Sequence, residues 1–456
     1  MSMLLKKFDW KKLLSRLRNV VKNNALLRRI SKNLSIGVAG SGILLILSLG
    51  NTALLTKNLS MEDYGRILVV LNFYGLMAMF FGLRVNDFIY RFFPQFKVHQ
   101  EYAELKGILF IAFSISLVVG LIIGFGTYFS APWIAKIFYN DTTYVPLFRI
   151  YAVAAFFIAF DGFFISILRI HDKFAMIVVP QVIGSAISLL LIAGYLSFNE
   201  SLTIEYAVWM RSAGVLVTKL PALFFSVLYI WPLIKKTEGF GLNALKMHKK
   251  QIVYNLLQTN LTGYLKLGSD TGGMFLMGLM ASPAQVALYG IASQLAKVLQ
   301  IMQNNIQNAL TPEIVSLWAK KKIHQLYKLV NTYAKWALIG GAPISFVSIL
   351  LAKPVILIFT TTEYLEALPV FYIFIITIYM TFVSLPFFPI ALVMDKLSRR
   401  NLVVSLRIVY LLIAVYIGLS AITLALVQLA GSLSVRIFND MLLMKDLKRV
   451  NKKGSL

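Results

Sequence analysis

A chain of 456 residues that is 58% hydrophobic, with a mean hydropathy of +0.75, is not a soluble protein, because runs of about 20 apolar residues recur along its length. Its net charge of +26 would suggest nucleic acid for a soluble domain; on this background it points to basic loops facing anionic lipid. The absence of cysteine excludes a disulfide framework, a thiolate metal site and a Cys nucleophile.

Residues 1–33 are dominated by basic side chains from Lys6 to Lys32 and contain no apolar core of a signal peptide. Trp10, Leu13, Leu14, Leu17 and Val21 fall at helical spacing, which predicts an amphipathic helix on the inner membrane face. The plainer alternative is a solvated basic tail that sets topology. About twelve spans follow: 34–55, 67–83, 107–130, 145–168, 174–197, 206–230, 252–279, 285–310, 333–352, 369–393, 401–417 and 419–438. The predicted fold is an all-α polytopic membrane protein with two six-helix lobes, 34–235 and 236–438, and a basic cytoplasmic tail, 439–456.

Charge tests this map. Lys97, Lys106, Lys173, Lys235, Lys236, Lys320 to Lys322, Arg399 and Arg400 all fall on the side of the N-terminus. The opposite side holds little beyond Lys57, Arg66, Lys136 and Lys353, so both termini are predicted cytoplasmic. The loops on that opposite side are too short to fold as a catalytic domain.

The halves also resemble one another. Ala131-Pro132-Trp133-Ile134 with Tyr144 and Pro146 matches Lys353-Pro354-Val355-Ile356 with Tyr364 and Pro369; Tyr64-Gly65 matches Tyr289-Gly290. Both copies begin on the same side, which makes them parallel repeats and places a substrate site at their interface near mid-depth.

Charged residues inside the spans are the candidate site. A cation at mid-bilayer costs roughly 3 kcal/mol by insertion scales, so it faces protein or water. Arg211 and Lys219, eight apart, share one face of span six; Lys266 and Asp270 in span seven are close enough to pair. Span eight carries Gln294, Lys297 and Asn304 on a polar stripe that lipid would not tolerate. The surplus of cations suggests an anionic passenger: Arg offers a fork for phosphate oxygens, Lys a point charge, and the amides suit sugar hydroxyls. Alternatives stay open at each position. Lys266–Asp270 could only hold the bundle together, Arg211 could snorkel to the outer interface, and Asp161 could titrate as a coupling carboxylate or pair with a cation. Arg407 reads as an anchor at the inner interface.

The segment Leu59-Ser60-Met61-Glu62-Asp63-Tyr64-Gly65, followed by Phe81-Gly82-Leu83, resembles the signature of polysaccharide flippases. These form the Wzx-like branch of the multidrug/oligosaccharidyl-lipid/polysaccharide exporter superfamily. Gly268-Ser269-Asp270, Leu279-Met280-Ala281-Ser282, Tyr289-Gly290 and Pro312 are similar to its seventh and eighth helices. Thr271 stands where family members often carry Arg, and residues 34–55 lack the ionised residues typical of lipid II flippases. The resemblance implies translocation of an undecaprenyl-diphosphate-type lipid-linked oligosaccharide across the cytoplasmic membrane by alternating access. It also implies cooperation with a polysaccharide polymerase and chain-length machinery. A multidrug exporter of the same superfamily would want carboxylates in its lumen; a membrane polymerase would want larger outer loops. His99, His171, His248 and His324 lie apart in sequence, and there is no Gly-rich phosphate loop ending in Lys-Ser/Thr. No cofactor and no nucleic-acid partner is expected.

Overall fold

A computed structural model describes residues 25–82, 85–199, 201–236, 239, 241 and 270–453. The described elements of the first lobe are α1 (Ala25–Asn58), α2 (Met61–Phe81), α3 (Val85–Val98), α4 (Tyr102–Leu121), α5 (Thr127–Tyr139), α6 (Val145–Ile158), α7 (Asp161–Ile170), α8 (Phe174–Phe198) and α9 (Ile204–Ile234). Those of the second are α10 (Asp270–Met280), α11 (Pro283–Ala319), α12 (Ile323–Leu350), α13 (Ala352–Phe359), α14 (Leu368–Ser384), α15 (Phe387–Val393), α16 (Leu397–Ile417), α17 (Ala421–Val435) and α18 (Met441–Lys453). Among the described residues there is no strand, and nine helical stretches are long and apolar enough to cross a membrane. Residues 1–24 of the expected surface helix, and residues 252–269 of the expected seventh span, lie outside the described residues.

Helix starts are set by side chains. The Ser60 hydroxyl accepts from the Asp63 amide at 3.1 Å, and Thr203 accepts from Tyr206 at 3.4 Å. Ser420 and Thr423 form a reciprocal capping box that opens α17. In α2, Arg66 then closes the first turn on Glu62 and Asp63 at 2.9 and 2.7 Å.

The elements depart from the expected spans at several places. The predicted loop at 84–106 contains α3, which buries Val85, Phe88, Ile89, Phe92, Phe93 and Phe96 at helical spacing against α4, α7 and α9. The fourth and tenth spans are each broken, at residues 159–160 and 385–386, giving α6/α7 and α14/α15. The twelfth span does not end at 438. It continues through a π-helical segment, Arg436–Asp440, into α18, whose Leu443 and Leu447 are fully buried against Ile314, Leu326, Val330 and Ile390. Residues 439–453 are therefore part of the second lobe's packing, not a free tail. At the other terminus α1 begins at Ala25, so residues 25–33 continue the first spanning helix.

Among the described residues, the buried core shared by the lobes lies at one end. At the end carrying Tyr64, Tyr289 and Tyr364, a shared core joins α1 and α2 to α10, α11 and α13. All three tyrosines are buried, and the Tyr64 and Tyr364 rings meet edge-on at 6.3 Å. Thr56 Oγ1 donates across the junction to the Phe359 carbonyl at 2.8 Å. Gly65 lies against the Pro283 backbone, where a Cβ would collide with the carbonyl. At the opposite end, rich in Lys and Arg, the buried cores are separate. One unites α3, α4, α7 and α9, and the other unites α11, α12, α15 and α18. Among the described residues no buried cluster bridges the lobes there.

Candidate functional site

Each lobe has a partly open cavity at its fifth and sixth spans, lined in part by polar side chains. The first, about 330 Å³, is lined by Asn51, Tyr151, Gln181, Ser188, Arg211 and Lys219 among others. Its back wall forms because Gly214 of α9 touches α8: a Cβ there would stand 2.6 Å from the Gly184 carbonyl oxygen and 2.8 Å from Ser188 Cβ. Arg211 and Lys219 share a face of α9 and lie about 12 Å apart along its axis.

The two cations differ in what holds them. Lys219 Nζ donates to both Asp161 oxygens at 2.7 Å. Asp161 is the first residue of α7, where the break in span four leaves free amides and a favourable helix dipole for a carboxylate. Arg211 also lines the cavity and makes no ion pair among the described residues. The sequence left Asp161 open between titration and pairing; the structure pairs it, with Lys219. The cavity's polar capacity is incompletely used. Asn51 Nδ2 donates to Leu47 and Ser185 carbonyls at 3.0 and 3.2 Å, while Asn51 Oδ1 and the Ser188 hydroxyl are buried without a partner. Such groups favour a hydrogen-bonding occupant, water or ligand.

The second cavity, about 220 Å³, lies between α11, α14, α16 and α17. Arg407 reaches it, donating from Nη2 to Ser432 Oγ at 3.2 Å. Gln303 Nε2 donates to the Ile378 carbonyl at 2.6 Å and to Thr381 Oγ1 at 3.2 Å. The anchoring role expected of Arg407 is thus corrected: its side chain turns inward over Gly431, where a Cβ would strike it. Neither Arg407 nor Gln428, which also lines this cavity, was singled out for a site from the sequence.

The repeat explains the match. Counted from their helix starts, Arg211 of α9 and Gln428 of α17 occupy the same position, and so do Gly214 and Gly431. Gly184 of α8 and Arg407 of α16 likewise correspond. The N-lobe carries its guanidinium on the sixth helix over a Gly–Gly contact; the C-lobe carries its own on the fifth-helix equivalent. Lys219 and Arg436 also correspond. Lys219 meets Asp161, the first residue after the break in span four, and Arg436 lies 5.5 Å over the ring of Phe387, the first residue after the break in span ten.

The remaining predicted residues are dispersed. Gln294 donates from Nε2 to Ser48 O at 3.1 Å, Ser48 Oγ at 3.0 Å and Thr52 Oγ1, so it clamps α11 to α1 across the lobe junction. Lys297, three residues on along the same side of α11, is exposed. Asn304 is exposed at the rim of the C-lobe cavity. Asp270 opens α10, its side chain outside the described residues; Lys266, and with it the Lys266–Asp270 pair, also lies outside them.

A family profile described as polysaccharide biosynthesis protein matches residues 30–318. No curated protein matches the chain. Among solved structures, an inward-facing multidrug resistance MATE family transporter of the MOP superfamily superposes with a TM-score of 0.68 at 14% identity, over 89% of this chain and 96% of that one. The lipid II flippase MurJ in an inward closed conformation gives 0.67 at 14% identity, over 91% and 90%. An outward-facing MATE transporter gives 0.61 at 13% identity, over 93% and 96%. At these identities the likeness establishes a shared fold.

Proposed function

The chain belongs to the polysaccharide biosynthesis protein family, and we propose that it flips a polyprenyl-diphosphate-linked oligosaccharide across the cytoplasmic membrane. The observation that carries this reading is the charge of the N-lobe cavity. Its carboxylate, Asp161, is taken by Lys219, and Arg211 remains to meet an anion. Lys297, exposed on α11, supplies a second cation. A guanidinium fork and an ammonium match diphosphate oxygens, and contacts spread over two helices allow release as well as binding. An organic cation would meet Arg211 with Asp161 already engaged, which disfavours drug export.

The basic end faces the cytoplasm in this reading, as the bias of Lys and Arg requires. The tyrosine seal then closes the far side, and among the described residues no buried cluster joins the lobes on the cytoplasmic side, a state suited to loading. The flipped glycan would pass to a polysaccharide polymerase and its chain-length partner.

The test is complementation of a deletion strain. Arg211→Ala and Lys297→Ala should each reach the membrane yet fail to restore surface polysaccharide, with lipid-linked precursor accumulating. Normal export by both variants refutes the cationic site. A deletion strain with unchanged surface glycan and raised drug sensitivity would replace the flippase reading by an exporter.

A further inference from the structure

We propose that the outer face of α18 is a docking surface for anionic phospholipid headgroups, with Lys445, Lys448 and Arg449 as its phosphate ligands. The proposal requires that the chain spans a membrane, and it is independent of what the chain carries.

α18 continues the last spanning helix through the π-helical segment Arg436–Asp440, so it carries that span out of the apolar layer. Its two faces have different surroundings. Leu443 and Leu447 are fully buried in the second lobe, against α11, α12 and α15. Opposite them, Met441, Leu442, Lys445, Lys448 and Arg449 fall at one-face helical spacing, and all five are exposed.

The chemistry of this face changes within one turn. Phe438, Met441 and Leu442 are 54%, 55% and 40% exposed, as side chains that face acyl chains are. From Lys445 onward the exposed face is basic. Lys445 stands about 6 Å beyond Met441 along the helix, and Arg449 about 6 Å beyond Lys445. A headgroup layer is roughly 5–7 Å thick on each side of the hydrocarbon. With the apolar turn against acyl chains, the three cations span the depth at which phosphates lie.

The face is also clear of competing anions. Asp446 lies to its side and pairs with Arg399 of α16 at 3.1 Å, and Asp440 is 1% exposed. Among the described residues, Lys445, Lys448 and Arg449 form no ion pair. A soluble acidic partner reaches the cations but leaves the apolar turn beneath them uncovered. A second copy of this chain brings like charge against like. An anionic lipid satisfies both halves of the face at once, its acyl chains on Met441 and Leu442 and its phosphate on the cations. Each cation near an anionic surface contributes roughly fivefold in affinity, and salt screens that gain. A lipid that binds the folded chain and not the unfolded one raises the melting temperature.

The experiment uses the full chain purified in a neutral detergent, its melting temperature followed as lipid is titrated into the micelles. The probes are phosphatidylglycerol, phosphatidylcholine and polyprenyl diphosphate. Phosphatidylglycerol should raise the melting temperature of the native chain and phosphatidylcholine should not; roughly 0.5 M salt should remove most of the rise. The triple variant Lys445→Gln, Lys448→Gln, Arg449→Gln changes exposed side chains only, so without lipid it should melt like the native chain. It should need more than about tenfold more phosphatidylglycerol for the same rise. Lys320→Gln, Lys321→Gln, Lys322→Gln makes the same change of charge in the exposed turn between α11 and α12, and should keep the response. The docking surface is overturned by an α18 variant that responds like the native chain, by an equal loss in both triple variants, or by a native response that salt leaves unchanged. A native chain stabilised by polyprenyl diphosphate and not by phosphatidylglycerol overturns it as well, and assigns these cations to the transported lipid.

Discussion

Lys219 and Asp161 lie 58 residues apart in sequence and meet at 2.7 Å where the fourth span breaks. The pair ties the sixth helix to the first turn of α7, so it fixes the geometry of a discontinuous span. It also removes from the N-lobe cavity the carboxylate and one of the two cations that line or adjoin it.

Breaking this pair should cost stability more than its net worth. Removing one partner of a buried pair costs about 3–5 kcal/mol, because the other charge is stranded. Asp161 is a third exposed, so Lys219→Ala should fall at about 3 kcal/mol. Lys219→Met with Asp161→Leu should recover most of that loss, since the desolvation cost of both charges disappears. Thermal unfolding of the purified protein checks this; a double variant no more stable than Lys219→Ala contradicts it.

Arg211 should behave differently. It makes no ion pair among the described residues, so Arg211→Ala should leave thermal stability close to native while glycan export is lost. Arg211→Lys keeps the charge without the planar fork, and should restore export only in part. Surface polysaccharide quantified against protein in the membrane separates the outcomes. Full export by Arg211→Lys would mean that charge alone suffices.

His171 supplies a pH test outside the spans. Burial pushes its imidazole below the usual histidine range, and Lys97 and Lys173 add to that, against the Ile167 carbonyl that Nδ1 contacts at 2.8 Å. The ring packs between Phe93 and Tyr229, with centroids at 5.8 and 5.2 Å. A depressed folded pKa means that the unfolded state takes up the proton first. The contribution is present above the unfolded value of about 6.5 and lost as pH falls through the lower folded value. His171→Phe keeps a neutral ring in the slot and should flatten the decline in melting temperature on acidification below about 6.5. Parallel declines in both proteins would rule this out.

The apolar runs were legible because span length is fixed by bilayer thickness, and the basic bias distinguishes the two ends of the bundle. What escaped the sequence lies between helices. The run from Val85 to Val98 carries Arg91 and Lys97, and so resembles a charged loop although its phenylalanines repeat at helical spacing. Nothing in the neighbourhood of Lys219 shows that its partner lies two helices away. Arg407 and Gln428 become visible only when the halves are aligned by helix starts. Tyr64 and Tyr289 differ by 225 positions but Arg211 and Gln428 by 217, so a single offset hides the second correspondence.

The tyrosine seal gives the most direct test of alternating access. Gly65 approaches the Pro283 carbonyl so closely that any Cβ must push α2 away from the start of α11. Pro283 belongs to the helix backbone and cannot rotate aside, so the strain of Gly65→Ala must be relieved by opening the junction. Tyr64 and Thr56 lie on the same side, and Thr56 is only 1% exposed. The chain has no cysteine, so Thr56→Cys introduces a unique thiol without further engineering. In that background Gly65→Ala should raise labelling of the cysteine by a membrane-impermeant maleimide added from outside, several-fold over the Gly65 parent. Glycan export should fall, because a seal that no longer closes biases the lobes away from the loading state. Unchanged labelling would show that the close approach of Gly65 and Pro283 is not what holds this end shut.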